Sequence, residues 1–190
     1  MIRKLIVAMM LGSFALTSGA HTYSLDKTHA DVSFKVRHLG LSKVKGQFTR
    51  FDAKAYYEGS IDTLTLEMTI EADSVDTGNE KRDKHLLDED FFHVEEYPTI
   101  TFKSTGVKMN GEAPVLVGDL TIKDVTKSIE FPIEMNGPID SPWQEGVSLI
   151  GLSFSGELAR HDFNIKAGTA DVAIGKTVQF EVSLEAQADK

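Results

Sequence analysis

The sequence contains no cysteine. Disulfides, thiolate zinc sites, iron–sulfur clusters and cysteine nucleophiles are excluded together. Tryptophan occurs once and proline five times in 190 residues. Positive charge is also scarce: 20 Lys and Arg stand against 29 Asp and Glu, a net charge of −9. So acidic a chain gains nothing from counterion release on a phosphate backbone, and nucleic acid is a poor partner. Long apolar runs are missing too. The longest, Leu5–Leu16, is too short to cross a bilayer, which takes about 20 residues. There is no Gly-x-Ser-x-Gly elbow, phosphate loop or dinucleotide fingerprint.

That short run has a meaning of its own. Arg3 and Lys4 precede it, and the small residues Ser18 and Ala20 follow it. A basic start, an apolar stretch and a small-residue site read as a secretory signal over residues 1–20, cleaved after Ala20. The mature chain would be residues 21–190, an exported, periplasmic protein with no integral membrane segment. Losing Arg3 and Lys4 leaves 18 basic against 29 acidic groups, a net charge of −11.

The mature chain is dominated by alternation of period two. Leu64, Leu66, Met68, Ile70 and Ala72 share one face, and Thr65, Glu67, Thr69 and Glu71 the other. Ile129, Phe131, Ile133 and Met135 alternate with polar residues and Pro132, and Val178, Phe180, Val182, Leu184 and Ala186 repeat the pattern. Shorter stretches do the same, among them Val115 with Val117. One dry and one wet face per strand means antiparallel sheet, since buried parallel strands are apolar on both faces. Pro132 cannot donate to a ladder, so it marks an edge or a bulge. Turn signals fall at Gly40, Asn110-Gly111, Lys123-Asp124 and Asn136-Gly137-Pro138. Thr77-Gly78-Asn79-Glu80 has capping-box form and predicts a short helix at about 79–88. The whole is one all-β domain of about eight long strands with short helical insertions. Alternation alone leaves a packed sandwich and a barrel with an apolar lumen equally open.

Ordered motifs add a resemblance. Ser74-Val75-Asp76-Thr77-Gly78-Asn79, Arg82-Asp83-Lys84-His85-Leu86, Asp90-Phe91-Phe92, Tyr97–Phe102, Gly118–Ile122 and Asp162–Ile165 together resemble the YceI-like family. Many members carry glycine where Asn164 stands, and Asn is the next-best residue at positive φ. The resemblance implies an extended eight-stranded, lipocalin-like antiparallel barrel. Its apolar lumen would take an isoprenoid quinone, a polyprenyl chain or another long lipid. The resemblance also makes a homodimer an expectation, and implies neither cofactor nor enzymatic activity.

The apolar phase of each strand then names lumen candidates. From the first strands come Phe34, Val36, Phe48 and Phe51. The next strand gives Leu66, Met68 and Ile70, and the helical insertion gives Leu87, Phe91 and Phe92. Later strands give Ile100, Phe102, Ile122, Phe131, Leu152 and Phe154, and Phe163 and Phe180 complete the set. Arg82, Asp83 and His85 sit beside these residues and carry two readings. They form a polar mouth for a head group, or they pin the short helix over the barrel end. The six histidines show no i, i+4 helical or His-x-His strand spacing, so no metal site is expected. Arg160-His161-Asp162 has catalytic residue types but reads as a charged strand end in water. Function therefore divides between a lipid carrier, an enzyme acting on such a lipid (a hydrolase or isomerase) and a packed barrel without a ligand.

Overall fold

The computed structural model describes residues 20–111 and 113–189. The residues read as a secretory signal lie outside them, save for Ala20. The strands are β1 (His21–His38), β2 (Ser42–Phe48), β3 (Phe51–Tyr57), β4 (Thr65–Glu71), β5 (Val75–Asp76), β6 (Thr99–Asn110), β7 (Ala113–Ile122), β8 (Val125–Asp140), β9 (Ser148–Ala159) and β10 (Ile174–Ala188). One helix, α1 (Glu80–Leu86), lies between β5 and β6. Sheet neighbours run β10-β9-β8-β7-β6-β4-β3-β1, and β1 pairs with β10 to close the ring. All of these pairs are antiparallel and mostly sequential. The result is a closed up-and-down barrel of eight strands, and the sandwich alternative falls away. Closure matters because it leaves the ring without an exposed edge. Outside the ring, β2 pairs with the second half of β1 and β5 pairs with β2.

Three local readings change. Pro132 is at neither an edge nor a bulge. The β7–β8 ladder ends at Val115↔Pro132, and the β8–β9 ladder begins at Ile133↔Phe154. The residue without an N–H thus stands where β8 changes partners. Asn136-Gly137-Pro138 makes no turn. It is an irregularity inside β8, where the register shifts between Asn136 and Ile139, because the residues that favour turns also favour bulges. In β7 the inward phase is Leu116, Leu120 and Ile122, not Val115 and Val117. Leu116 is completely buried, and Gly118 continues its phase. The helix starts as foreseen but is capped by Asn79, whose Oδ1 accepts from the Arg82 N–H at 3.0 Å. Asn164 adopts φ 55° and ends the 3-10 turn Arg160–Phe163, as its place in the motif implies.

A register shift in β1 between Leu25 and Ala30 is tied by an exposed hydrogen-bond knot. Asp26 Oδ2 lies 2.9 Å from His29 Nδ1. The Thr28 N–H and hydroxyl donate to Asp26 Oδ1 at 2.9 and 2.7 Å. The His29 bond foremost, then those of Thr28, holds the Asp26 carboxyl down at about 2. Asp26 in turn raises His29 above its ordinary value. The contribution of His29 is therefore full below about pH 6.5 and is lost as pH rises through the raised value. Asp26 contributes above about pH 4, and this is lost as pH falls toward its lowered value. His29→Asn should flatten the alkaline side of the stability profile. Urea midpoints at about pH 5 and pH 9 check this: the wild type should lose more between them than the variant.

Candidate functional site

The barrel interior divides into a filled half and an unfilled half. Toward the end where β1 begins, Tyr23, Leu64, Leu66, Leu116, Ile150 and Leu152 are almost completely buried in one continuous core. Eight-stranded barrels are only wide enough for side chains to fill, and here large aliphatic residues do so. Toward the other end the same barrel encloses a cavity of about 190 Å³. Its wall is apolar except for Ser33 and Arg160.

The floor of the cavity is aromatic. Phe131 stacks on Phe154 at 4.8 Å between centroids, tilts against Phe102 at 5.4 Å and meets Phe180 edge-on at 5.6 Å. Such pairs are worth about 0.5 to 1.5 kcal/mol each beyond burial. Higher on the wall, Phe48 lies 5.7 Å from both Phe34 and Phe92. Leu86, Phe91 and Phe92 from the α1 region, Ile165 from the β9–β10 connection and Ile174 at the start of β10 complete the upper end.

Three inward glycines keep the space open, and sequence alternation missed them. Gly46, Gly118 and Gly156 each lie under a phenylalanine ring: Phe34, Phe102 and Phe180. The rings lie along the wall because no Cβ holds them off. Added methyls should act differently at two of these sites. At Gly156 a Cβ would crowd Phe180 ring atoms at 2.9 Å and meet the Phe131 Cβ at an ordinary 3.8 Å, and the Phe180 ring can swing into the cavity. At Gly118 it would also meet the Lys103 carbonyl oxygen at 2.6 Å, which cannot yield. Gly118→Ala should cost about 1 to 3 kcal/mol. Gly156→Ala should change stability by less than about 1 kcal/mol while shrinking the cavity. Urea melts and xenon uptake together distinguish the two.

Most of the lumen candidates stand on this wall; Phe51, Leu66, Leu87 and Leu152 do not. Leu66 and Leu152 belong to the filled half. Phe51 and Leu87 are half-buried and pack against the core from its margin. Their phase is inward, but phase does not reveal the depth at which a lumen is filled.

The polar candidates are elsewhere. Arg82 Nε donates to the Thr77 hydroxyl at 2.7 Å and Nη2 to the Thr77 carbonyl at 2.9 Å. Asp83 Oδ1 accepts from the Thr77 N–H at 3.0 Å and from its hydroxyl. The two residues do not pair with each other; both fasten the helix start to Thr77, next to β5. His85 packs edge-on to Phe91 at 5.0 Å and lies 3.9 Å from Asp90. None of the three lines the cavity itself.

The charged residue that does reach the wall is Arg160, 2% exposed. Reading it as a solvated strand end was wrong. Its guanidinium donates to the carbonyls of Ile165, Lys166, Thr169, Ile174 and Gly175 and to Asp171 Oδ1. Buried charge is tolerated only when it is hydrogen-bonded throughout, and here the arginine organises the whole β9–β10 connection. The His161 ring bonds Asp171 at 2.6 Å and, with Arg160, holds that carboxyl below its usual range. This connection is tied to the α1 side by the Lys166–Asp90 ion pair and by the Lys166 N–H to the Asp90 carbonyl at 2.7 Å. Two triads, Asp26-His29-Glu185 and His85-Asp88-Asp90, bring ligand-type atoms within 4.8 Å of one another. Sequence spacing did not reveal them. They are largely exposed, and Asp90 is already paired with Lys166.

Fold and cavity together define an up-and-down antiparallel barrel with a closed floor and an apolar chamber, the architecture of the lipocalin-like class. The comparisons with known proteins narrow this. The YceI-like domain model matches residues 23–186. A UPF0312 protein of Pseudomonas aeruginosa is 38% identical over 172 residues, covering 87% of this chain and 89% of the relative. The crystal structure of the Campylobacter jejuni YCEI protein superposes with a TM-score of 0.73 at 33% identity, covering 88% of this chain and 98% of that one. A polyisoprenoid binding domain from Saccharophagus degradans has the same fold, with a TM-score of 0.67 at 17% identity over 88% and 98% of the two chains. The chain belongs to the YceI-like family.

Proposed function

We propose that this protein holds the apolar chain of an amphiphilic lipid, an isoprenoid quinone or polyprenyl compound in the first instance, and carries it through the periplasm. The observation that supports this most is the apolar chamber above the aromatic floor. A dry cavity forgoes packing at about 24 cal/mol per Å³. At about 190 Å³ that amounts to about 4 to 5 kcal/mol, which an apolar occupant of the right shape recovers in part. The fold shared with the Saccharophagus degradans polyisoprenoid binding domain favours the same class of ligand. Export rests on the leader read at residues 1–20.

Carrying is favoured over catalysis by the chemistry of the wall. Arg160 is its one ionisable residue, and its N–H groups are committed to carbonyls and to Asp171. The one hydroxyl on the wall, Ser33, donates to the Glu181 carbonyl at 3.5 Å, and among the described residues no acid–base pair lines the chamber.

Native mass spectrometry of protein recovered from the exported fraction tests the reading. A retained species with the mass of a lipid is expected, and stripping it should lower the thermal midpoint by about 10 °C. A stripped protein with an unchanged midpoint, or one that arrives empty, would overturn the reading.

A further inference from the structure

The β1–β2 hairpin carries a charge arrangement that works against its own fold. The register places Lys35 opposite Lys45 and Arg37 opposite Lys43. Like charges directly opposite on one sheet face are destabilising, and two such pairs follow each other here. The chain as a whole is acidic, with 29 acidic against 20 basic residues, so this is a local concentration and not a general tendency. Lys35 is partly answered by Glu181 at 3.7 Å. Among the described residues Arg37, Lys43, Lys45 and Lys176 have no carboxylate within 4.0 Å. Arg37, Lys43 and Lys176 line one shallow surface depression, in which Glu157 is the one acidic residue.

The hairpin ends in Leu39-Gly40-Leu41. Leu41 is 86% exposed, and Leu39 and Val172 are exposed beside it. The Leu39 N–H donates to the Ala173 carbonyl at 3.1 Å, so the two loops form one apolar tip. Since His38 pairs with Ile174, a cavity-wall residue, this tip stands at the cavity end of the barrel. The far end also bears exposed apolar residues, Trp143 and Ile139, with the acidic Asp140 and Glu145 beside them, whereas the acidic neighbour of Val172, Asp171, is paired with Arg160 and His161.

We propose that the β1–β2 tip docks on an anionic phospholipid bilayer. Leu39 and Leu41 enter the interface, and the basic face behind them meets lipid phosphates. Basic groups near such a surface add attraction that salt screens, and apolar side chains anchor it. Docked this way, the cavity end of the barrel faces the membrane, the source or destination of a lipid passenger. The orientation rests on the carrier reading; the docking itself does not.

Vesicle co-sedimentation of the exported protein tests the docking. Vesicles of about three parts phosphatidylethanolamine to one part phosphatidylglycerol should bind it, and pure phosphatidylcholine vesicles should not. Lys43→Gln with Lys45→Gln should lower the partition coefficient about tenfold or more, yet raise the thermal midpoint slightly by relieving the cross-strand repulsion. That pair of results separates docking from misfolding. Leu39→Ser with Leu41→Ser should also release the protein, while Trp143→Ser should bind as the wild type does. Equal binding by the hairpin variants, or dependence on Trp143, overturns the proposal. Native mass spectrometry on the same samples reads the passenger separately. A protein that docks but is always empty refutes the carrier and leaves the docking intact, whereas a loaded protein that never binds anionic vesicles does the reverse.

Discussion

Phe102→Asp is expected to abolish ligand binding and to lower stability by at least about 3 kcal/mol. Phe102 is buried, its ring lies in the space left by Gly118, and it touches Phe131 at the cavity floor. A carboxylate there has an apolar wall around it, and the one cation of that wall, Arg160, is already bound to carbonyls and Asp171. Either it stays charged and unpaired, or it takes up a proton and its pKa rises. The neighbouring residue is the control. Lys103 is 75% exposed on the outer face and pairs with Glu67 at 2.8 Å. Lys103→Asp exchanges a surface pair for a repulsion that water screens, so it should leave the urea midpoint almost unchanged. Urea midpoints of the two variants decide the matter. Similar losses at both positions would mean that the assignment of inner and outer faces on β6 is wrong. If Phe102→Asp loses stability less at low pH than at neutral pH, the lost energy is the cost of the charge.

The contrast between these two residues also marks what the sequence could reveal. Successive strand side chains point to opposite faces, so Phe102 and Lys103 declare their sides without a structure. The same rule located Phe34, Met68, Phe131, Phe154 and Phe180 on the inner wall. It failed where a side chain is absent: Gly46, Gly118 and Gly156 carry no hydropathy signal, yet they decide how far the rings stand from the axis. It also failed in depth. Leu66 and Met68 share a face on β4, but Leu66 lies in the filled half and Met68 on the cavity. Which level of a barrel is filled depends on residues from all the strands that meet there, and their stagger is invisible in any one strand. Arg160 was misread for a third reason. A charged residue reads as exposed unless its partners are known, and most of its partners are backbone carbonyls supplied by the fifteen residues that follow it. Carbonyl acceptors belong to every residue and leave no mark on composition.

Affinity for quinones should rise with tail length, level off early and depend only weakly on Arg82. Each buried methylene gives roughly 0.8 kcal/mol, so a five-carbon isoprene unit offers about 3 to 4 kcal/mol gross. Ordering a flexible chain takes back much of that. A net gain of about 1.4 kcal/mol per unit would be tenfold in affinity. The gain lasts only while the tail finds space. On β10 the wall runs from Ile174 to Val182, roughly 26 Å of strand, or about 20 Å of barrel axis at the usual tilt. Below it, Leu116, Leu152 and Leu184 close the lumen. The cavity itself, at about 190 Å³, is below the 300 to 1,000 Å³ typical of drug-sized ligand sites. A longer tail must therefore swing the upper rings, Phe34, Phe48 and Phe92, or remain outside. Arg82 is occupied with Thr77 and does not line the chamber. Arg82→Ala should thus change affinity less than removing one isoprene unit, and should instead loosen the start of α1. Calorimetric titration of a quinone series differing by one unit, against the wild type and Arg82→Ala, reads both effects. If tail length makes no difference while Arg82→Ala abolishes binding, recognition lies in the head group and the chamber is not the binding site.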